Sequence, residues 1–126
     1  MVSRFSGVAA MKMFVDAPAI YLHRDPVDFR KAVNGLALIV EQQMELSPFS
    51  EALFVFCNKA GDKVKVLYWD KTGFCLWYKR LEKERFKWPL KTAQPVMNLS
   101  EEKWQSLLSG YNILGHEPLL FSSYSG

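Results

Sequence analysis

Between Lys59 and Lys91 the chain gathers ten basic residues against four acids. The remainder carries six bases and nine acids, so the net charge of +3 conceals a polarised molecule. Lys63, Lys65, Lys79, Arg80, Arg85 and Lys87 alternate here with Trp69, Phe74, Trp77, Tyr78, Phe86 and Trp88. Cations neutralise phosphates and aromatic rings stack on bases, which makes this pattern a candidate nucleic-acid surface. A second basic pair, Arg30-Lys31, joins the candidate set. The same pattern also describes a solubilising outer face on an antiparallel sheet whose other face is the core.

Other chemistry finds less support. Two-metal phosphoryl transfer needs several carboxylates converging on one site. Asp25 and Asp28 read as helix-cap residues, Asp62 and Asp70 lie in turns, and Glu82 and Glu84 flank a short apolar run. His23 and His116 stand alone, without zinc-ligand spacing, and there is no glycine-rich phosphate loop or nucleophile elbow. The expectation is a protein that is not an enzyme, with no cofactor, no metal and no small-molecule substrate. Cys57 and Cys75 lie inside apolar runs and read as buried thiols of a reducing compartment. No run is long enough to span a membrane and MVSRFSGVAA is no signal peptide, so a soluble, cytoplasmic protein is expected.

The elements that must position these residues follow from hydrophobic period. Leu53–Cys57, Val64–Trp69, Phe74–Leu81 and the short Arg85–Trp88 are rich in aromatic and β-branched residues and are separated by polar, Gly-containing turns. They predict an antiparallel β-meander of three to four strands. Upstream, Phe14–Leu22 offers a short strand interrupted by Pro18. Asp25 and Pro26 then read as N-cap and first residue of an amphipathic helix. Its apolar residues Phe29, Val33, Leu36, Ala37, Val40 and Met44 recur at spacings of three and four. Gly35 within it suggests close approach to the sheet. A second, short helix is expected over Asn98–Gly110, with Ser100 as cap and Trp104, Leu107 and Leu108 as its apolar stripe. The fold class is α+β: the meander, the N-terminal helix packed on one of its faces, and the C-terminal helix. One domain over 14–112 is expected between an extended or disordered arm (1–13) and a frayed tail (113–126).

If Asp70–Gly73 closes a hairpin, Trp69 opposes Phe74, Leu67 opposes Leu76, Lys65 opposes Tyr78 and Lys63 opposes Arg80. These eight share one face, mixed in character. Val64, Val66, Tyr68, Cys75, Trp77 and Lys79 share the other, which is the better core for the first helix to cover. That register makes Lys79 the weakest of the candidate cations. The mixed face is either open or half-covered by the C-terminal helix.

The block PFSEALFVFCNKAGDKVKVLYWDKTGFCLWYKRLEKERFKWP resembles the signature block of the TnpB accessory proteins of IS66-family insertion sequences. Asp28-Phe29-Arg30-Lys31 with Asn34-Gly35-Leu36, and the helix SEEKWQSLLSG, are similar to that family as well. The likeness covers roughly Ile20 to Tyr111. Glu84 stands where a glycine is common, residues 1–13 look extended, and ILGHEPLLFSSYSG lacks the basic tail many members carry. The resemblance implies a role in transposition beside a separate transposase of the same element. Two modes of action then stand open. In one, the protein binds transposon DNA through Arg30, Lys31, Lys63, Lys65, Lys79, Arg80, Arg85 and Lys87. In the other, it is an adaptor that docks on the transposase through Trp69, Phe74 and Trp77, with the charges as a steering rim.

Overall fold

The computed structural model describes residues 19–109. The expected arm (1–13), the expected tail (113–126) and the Phe14–Pro18 part of the first apolar run lie outside the described residues. Strand β1 (Ala19–His23) leads through a loop into helix α1 (Val33–Gln42), and the chain returns to strand β2 (Ala52–Cys57). Strands β3 (Lys63–Asp70) and β4 (Gly73–Arg80) form a hairpin, and strand β5 (Val96–Leu99) runs directly into helix α2 (Glu101–Leu108).

The five strands form one sheet in the order β4-β3-β2-β1-β5. It is mixed, not a pure antiparallel meander. β1 and β2 run parallel, while the other neighbouring pairs are antiparallel. Parallel neighbours need a crossover, and α1 supplies it. β2 lies at the centre and every residue from Ala52 to Cys57 is buried. Its unbroken apolar run fits a strand covered on both faces.

Each face carries its own core. On one, Leu22, Leu53, Val55, Val64 and Val66 pack with Phe86, Leu99, Trp104 and Leu107. On the other, Ala52, Phe54, Phe56 and Leu67 pack with Leu36, Ile39 and Val40 of α1 and with Met44 just beyond it. The β3–β4 register is Trp69↔Phe74, Leu67↔Leu76, Lys65↔Tyr78 and Lys63↔Arg80. What differs from expectation is which helix covers which face. α1 lies on the mixed face, over its apolar end at Leu67, Phe74 and Leu76. α2 covers the Val64–Val66–Tyr68 face, where Trp104 meets Trp77 edge-on at 6.3 Å between ring centroids. The indole N–H of Trp104 meets no acceptor among the described residues.

Three element boundaries also depart from expectation. Helix α1 begins at Val33, not near Asp25–Phe29. The N–H of Val27 donates to the carbonyl of Cys57 at 2.9 Å, an isolated bridge that prolongs sheet pairing where a first helical turn was expected. The helix ends at Gln42 with Gln43 as its cap; beyond it Glu45 lies in the left-handed region at φ 57°, and the N–H of Leu46 turns back to the carbonyl of Val40 at 3.0 Å. Arg85–Trp88 is not a fourth strand of the meander. It keeps the alternation of one, but the N–H of Phe86 bonds the carbonyl of Gly61 and that of Leu81 bonds Asp62, both at 2.8 Å. The segment therefore crosses the α2 face as a strap and buries Phe86. Asn98 and Leu99, expected to open the C-terminal helix, instead join Val96 and Met97 in the edge strand β5. Ser100 does cap α2, its side chain accepting the N–H of Lys103 at 3.1 Å.

Glycine also acts differently from expectation. A Cβ on Gly35 would meet the Lys31 side chain at 3.0 Å, so the close neighbour is the preceding loop, not the sheet. In the β3–β4 turn it is Lys71, at φ 51°, that adopts the left-handed conformation, and Gly73 does not.

Candidate nucleic-acid interface

The turn after β2 is built by Asn58, which is 9% exposed. Its Oδ1 accepts the N–H groups of Gly61 and Lys63, both at 3.0 Å, and its Nδ2 donates to Asp62 at 2.8 Å. A buried amide satisfied this way fixes the turn, because each lost bond would leave a polar group unpaired in the interior. Gly61, at φ 82°, completes it. On one side of this turn opens a groove of about 920 Å³ between the basic end of β3–β4 and the loop before α1. Its walls include Asp28, Phe29, Arg30, Lys59, Lys63, Lys65 and Tyr78. A smaller hollow of about 280 Å³ lies across the turn and takes in Arg85, Lys87 and Trp88. Lys59, Ala60 and Asn58 border both.

The candidate cations are not equivalent. Lys65 Nζ donates to the carbonyl oxygens of Phe29 and Lys31, each at 3.0 Å, and lies 4.8 Å from the centre of the Phe29 ring. Partial burial lowers its pKa from the ordinary lysine value. Lys65 thus ties the 28–31 loop to the sheet. Arg30 forks onto Asp28, with Nη2 2.6 Å and Nε 2.9 Å from Oδ2. That guanidinium and the Arg30 N–H hold the Asp28 carboxyl down to about 2. Arg80 pairs with Glu82 at 3.0 Å. Among the described residues, Lys31, Lys63, Lys79, Arg85 and Lys87 form no ion pair.

The groove brings Arg30, Lys63 and Lys65 together. Arg80 opposes Lys63 in register on the same face, and the main chain of Lys31 receives Lys65. Arg85 and Lys87 line the smaller hollow. Lys79 is elsewhere, opposite Val64 on the α2 face. Among the wall residues absent from the sequence-based site are Lys59 and Tyr78. Lys59 was available as part of the basic run. Tyr78 was signalled by its pairing with Lys65 on the mixed face.

The three aromatic anchor candidates are also separated. Trp69 and Phe74 join Phe49 in a cluster with ring centroids 5.0–5.3 Å apart. Phe49 is 55% exposed. Trp77 lies on the opposite face against Trp104.

Other reactive groups are engaged. His23 is buried, with Nδ1 2.7 Å from the Asp25 carbonyl and Nε2 3.1 Å from Gln43 Oε1. The first contact requires a donor at Nδ1. Burial pushes the Cys57 thiol up to about 12, and both cysteines are free. The Asp62 carboxyl is lowered, chiefly by the Asn58 amide. Among the described residues no group of three or more His, Cys, Asp or Glu is placed to hold a metal ion, and no helix is long and apolar enough to cross a membrane.

Comparison with known proteins gives a consistent picture. A family model described as IS66 Orf2 like protein matches residues 18–117. "Uncharacterized protein y4jC" of Sinorhizobium fredii (strain NBRC 101917 / NGR234) is 33% identical over 91 residues, 72% of this chain and 77% of that protein. "Uncharacterized protein y4hO" of the same strain is 34% identical over 91 residues, 72% of this chain and 78% of that protein. No solved structure matches significantly.

Proposed function

This chain belongs to the IS66 Orf2-like protein family, with an accessory role in transposition of an insertion sequence, and from that premise we propose that it acts by binding nucleic acid without catalysing a reaction. The observation that carries the proposal is the groove beside the Asn58 turn, where Lys59 and Lys63 stand on the walls with an exposed tyrosine. Lys31, Arg80, Arg85 and Lys87 extend the positive field around it, and transposon DNA is the partner this field suits. Lys65 and Arg30 contribute less than their charge suggests, because one is bound to main-chain carbonyls and the other to Asp28. Lys79, on the far face, is an outlying member at best.

The acids support the non-catalytic half. Asp25, Asp28 and Glu82 each pair with an arginine, and Asp62 accepts from Asn58. A single domain over 14–112 in the cytoplasm suits this role. The test is a mobility shift of purified protein on transposon-end DNA, with and without the element's transposase. A shift by the protein alone is the expected result, and the absence of one in both arms would refute the proposal.

A second reading is favoured by the Phe49–Trp69–Phe74 cluster, which leaves aromatic surface open at the opposite end of the same sheet face. Large exposed aromatics are the usual anchors of protein interfaces. In that reading the transposase docks there, without Trp77, and DNA is not touched. A shift seen only with transposase, and abolished by Phe49→Ala, would favour it.

A further inference from the structure

Tyr78 is 48% exposed on the edge strand β4, facing the groove. Its cross-strand partner is Lys65, and Lys63 and Arg80 form the next pair on the same face. The two aromatic rings of the groove differ in what they already meet. Lys65 Nζ sits over the Phe29 ring. No ring stacks on Tyr78 among the described residues.

The shape of the site bears on which nucleic acid fits. A duplex is read by a protruding helix or ribbon that enters its major groove. Here the cations line a concavity, and α1 lies flat with Leu36, Ile39 and Val40 buried against the sheet. In a duplex the faces of each base are hidden in the stack. In a single strand they are free to lie on an aromatic ring while cations follow the backbone.

We propose that this groove takes a single-stranded stretch of nucleic acid, with one base stacked on Tyr78 and adjacent phosphates held by Lys59 and Lys63. The inference rests on the nucleic-acid reading above and adds the form of the ligand.

Fluorescence anisotropy with one labelled oligonucleotide, presented as a single strand and as a duplex, tests it. Wild type binds the single strand more tightly. Tyr78→Leu lowers single-strand affinity about tenfold, the scale of one base–aromatic stack. Its effect on duplex affinity is smaller, and Tyr78→Phe restores single-strand binding. Thermal melting of each variant controls for folding. Duplex binding as tight as single-strand binding, or no loss in Tyr78→Leu, overturns the inference and leaves the broader reading standing. Absence of binding to either form, at low salt, removes the broader reading and the inference with it.

Discussion

Lys65 on β3 donates from Nζ to the carbonyl oxygen of Lys31 at 3.0 Å, a bond that closes 34 residues of chain. A second donation at 3.0 Å reaches the carbonyl of Phe29. Lys65→Met keeps the aliphatic stem and removes both. Since charged hydrogen bonds contribute about 1.5–3 kcal/mol, and this one is partly solvated, stability should fall by about 1–2 kcal/mol. Urea unfolding measures the change, and an unaltered midpoint would mean the tie is idle.

Asp28 should titrate far from an ordinary carboxylate. Its folded pKa is lowered from 3.8 to about 2 by Arg30. A depressed carboxyl stabilises the folded state fully above pH 3.8, and that contribution is lost as pH falls through about 2. NMR titration should show the low midpoint in wild type and a higher one in Arg30→Gln, still below 3.8 because the main-chain N–H of residue 30 continues to donate to Asp28. The pair also predicts that Asp28→Asn, by releasing Arg30, strengthens nucleic-acid binding, whereas Arg30→Gln changes it little.

The β3–β4 hairpin was legible because Asp70-Lys71-Thr72-Gly73 fixes a short loop and a period-two pattern then sets every partner down to Lys63↔Arg80. Which helix covers which face was not legible. Leu67, Phe74 and Leu76 on one side and Val64, Val66 and Trp77 on the other are similar payloads, and only the folded crossover from β1 to β2 decides. Arg85–Trp88 alternates as an edge strand would, yet its bonds go to the Gly61–Asp62 turn, a choice made by tertiary contact. Lys65 read as one more phosphate contact because nothing local announces a carbonyl partner in a loop 34 or 36 residues upstream. The Arg30–Asp28 pair spans two residues and was the easier to foresee.

Lys71 adopts φ 51° while the turn's glycine does not. A side chain in the left-handed region costs about 1–2 kcal/mol, partly offset in Gly by its looser unfolded state. Lys71→Gly should therefore raise stability by about 0.5–1 kcal/mol, seen as a higher melting temperature. A drop would show that the lysine side chain contributes more than its backbone strain costs.

The two thiols should separate by reactivity. Cys57 is 2% exposed and its thiol is raised from 9.0 to about 12, mainly by burial, whereas Cys75 is half-buried. An aromatic disulfide reagent at about pH 8 should label Cys75 in native protein and Cys57 only on unfolding. A thiol raised in the folded state stabilises it below about pH 9, and that contribution is lost as pH rises through about 12. Rapid labelling of both thiols in native protein would contradict the packing described for β2.

If the cations beside the Asn58 turn bind nucleic acid, a salt titration of affinity will register their loss. Wild type and a Lys59→Ala/Lys63→Ala variant are compared on transposon-end DNA, with thermal melting to confirm folding. Removing one lysine–phosphate pairing should flatten the slope of log affinity against log salt by about 0.7–0.9 units. The variant should bind more weakly at low salt, with a slope shallower by about 1.4–1.8 units. Equal affinities and equal slopes would show that these lysines only solubilise the sheet.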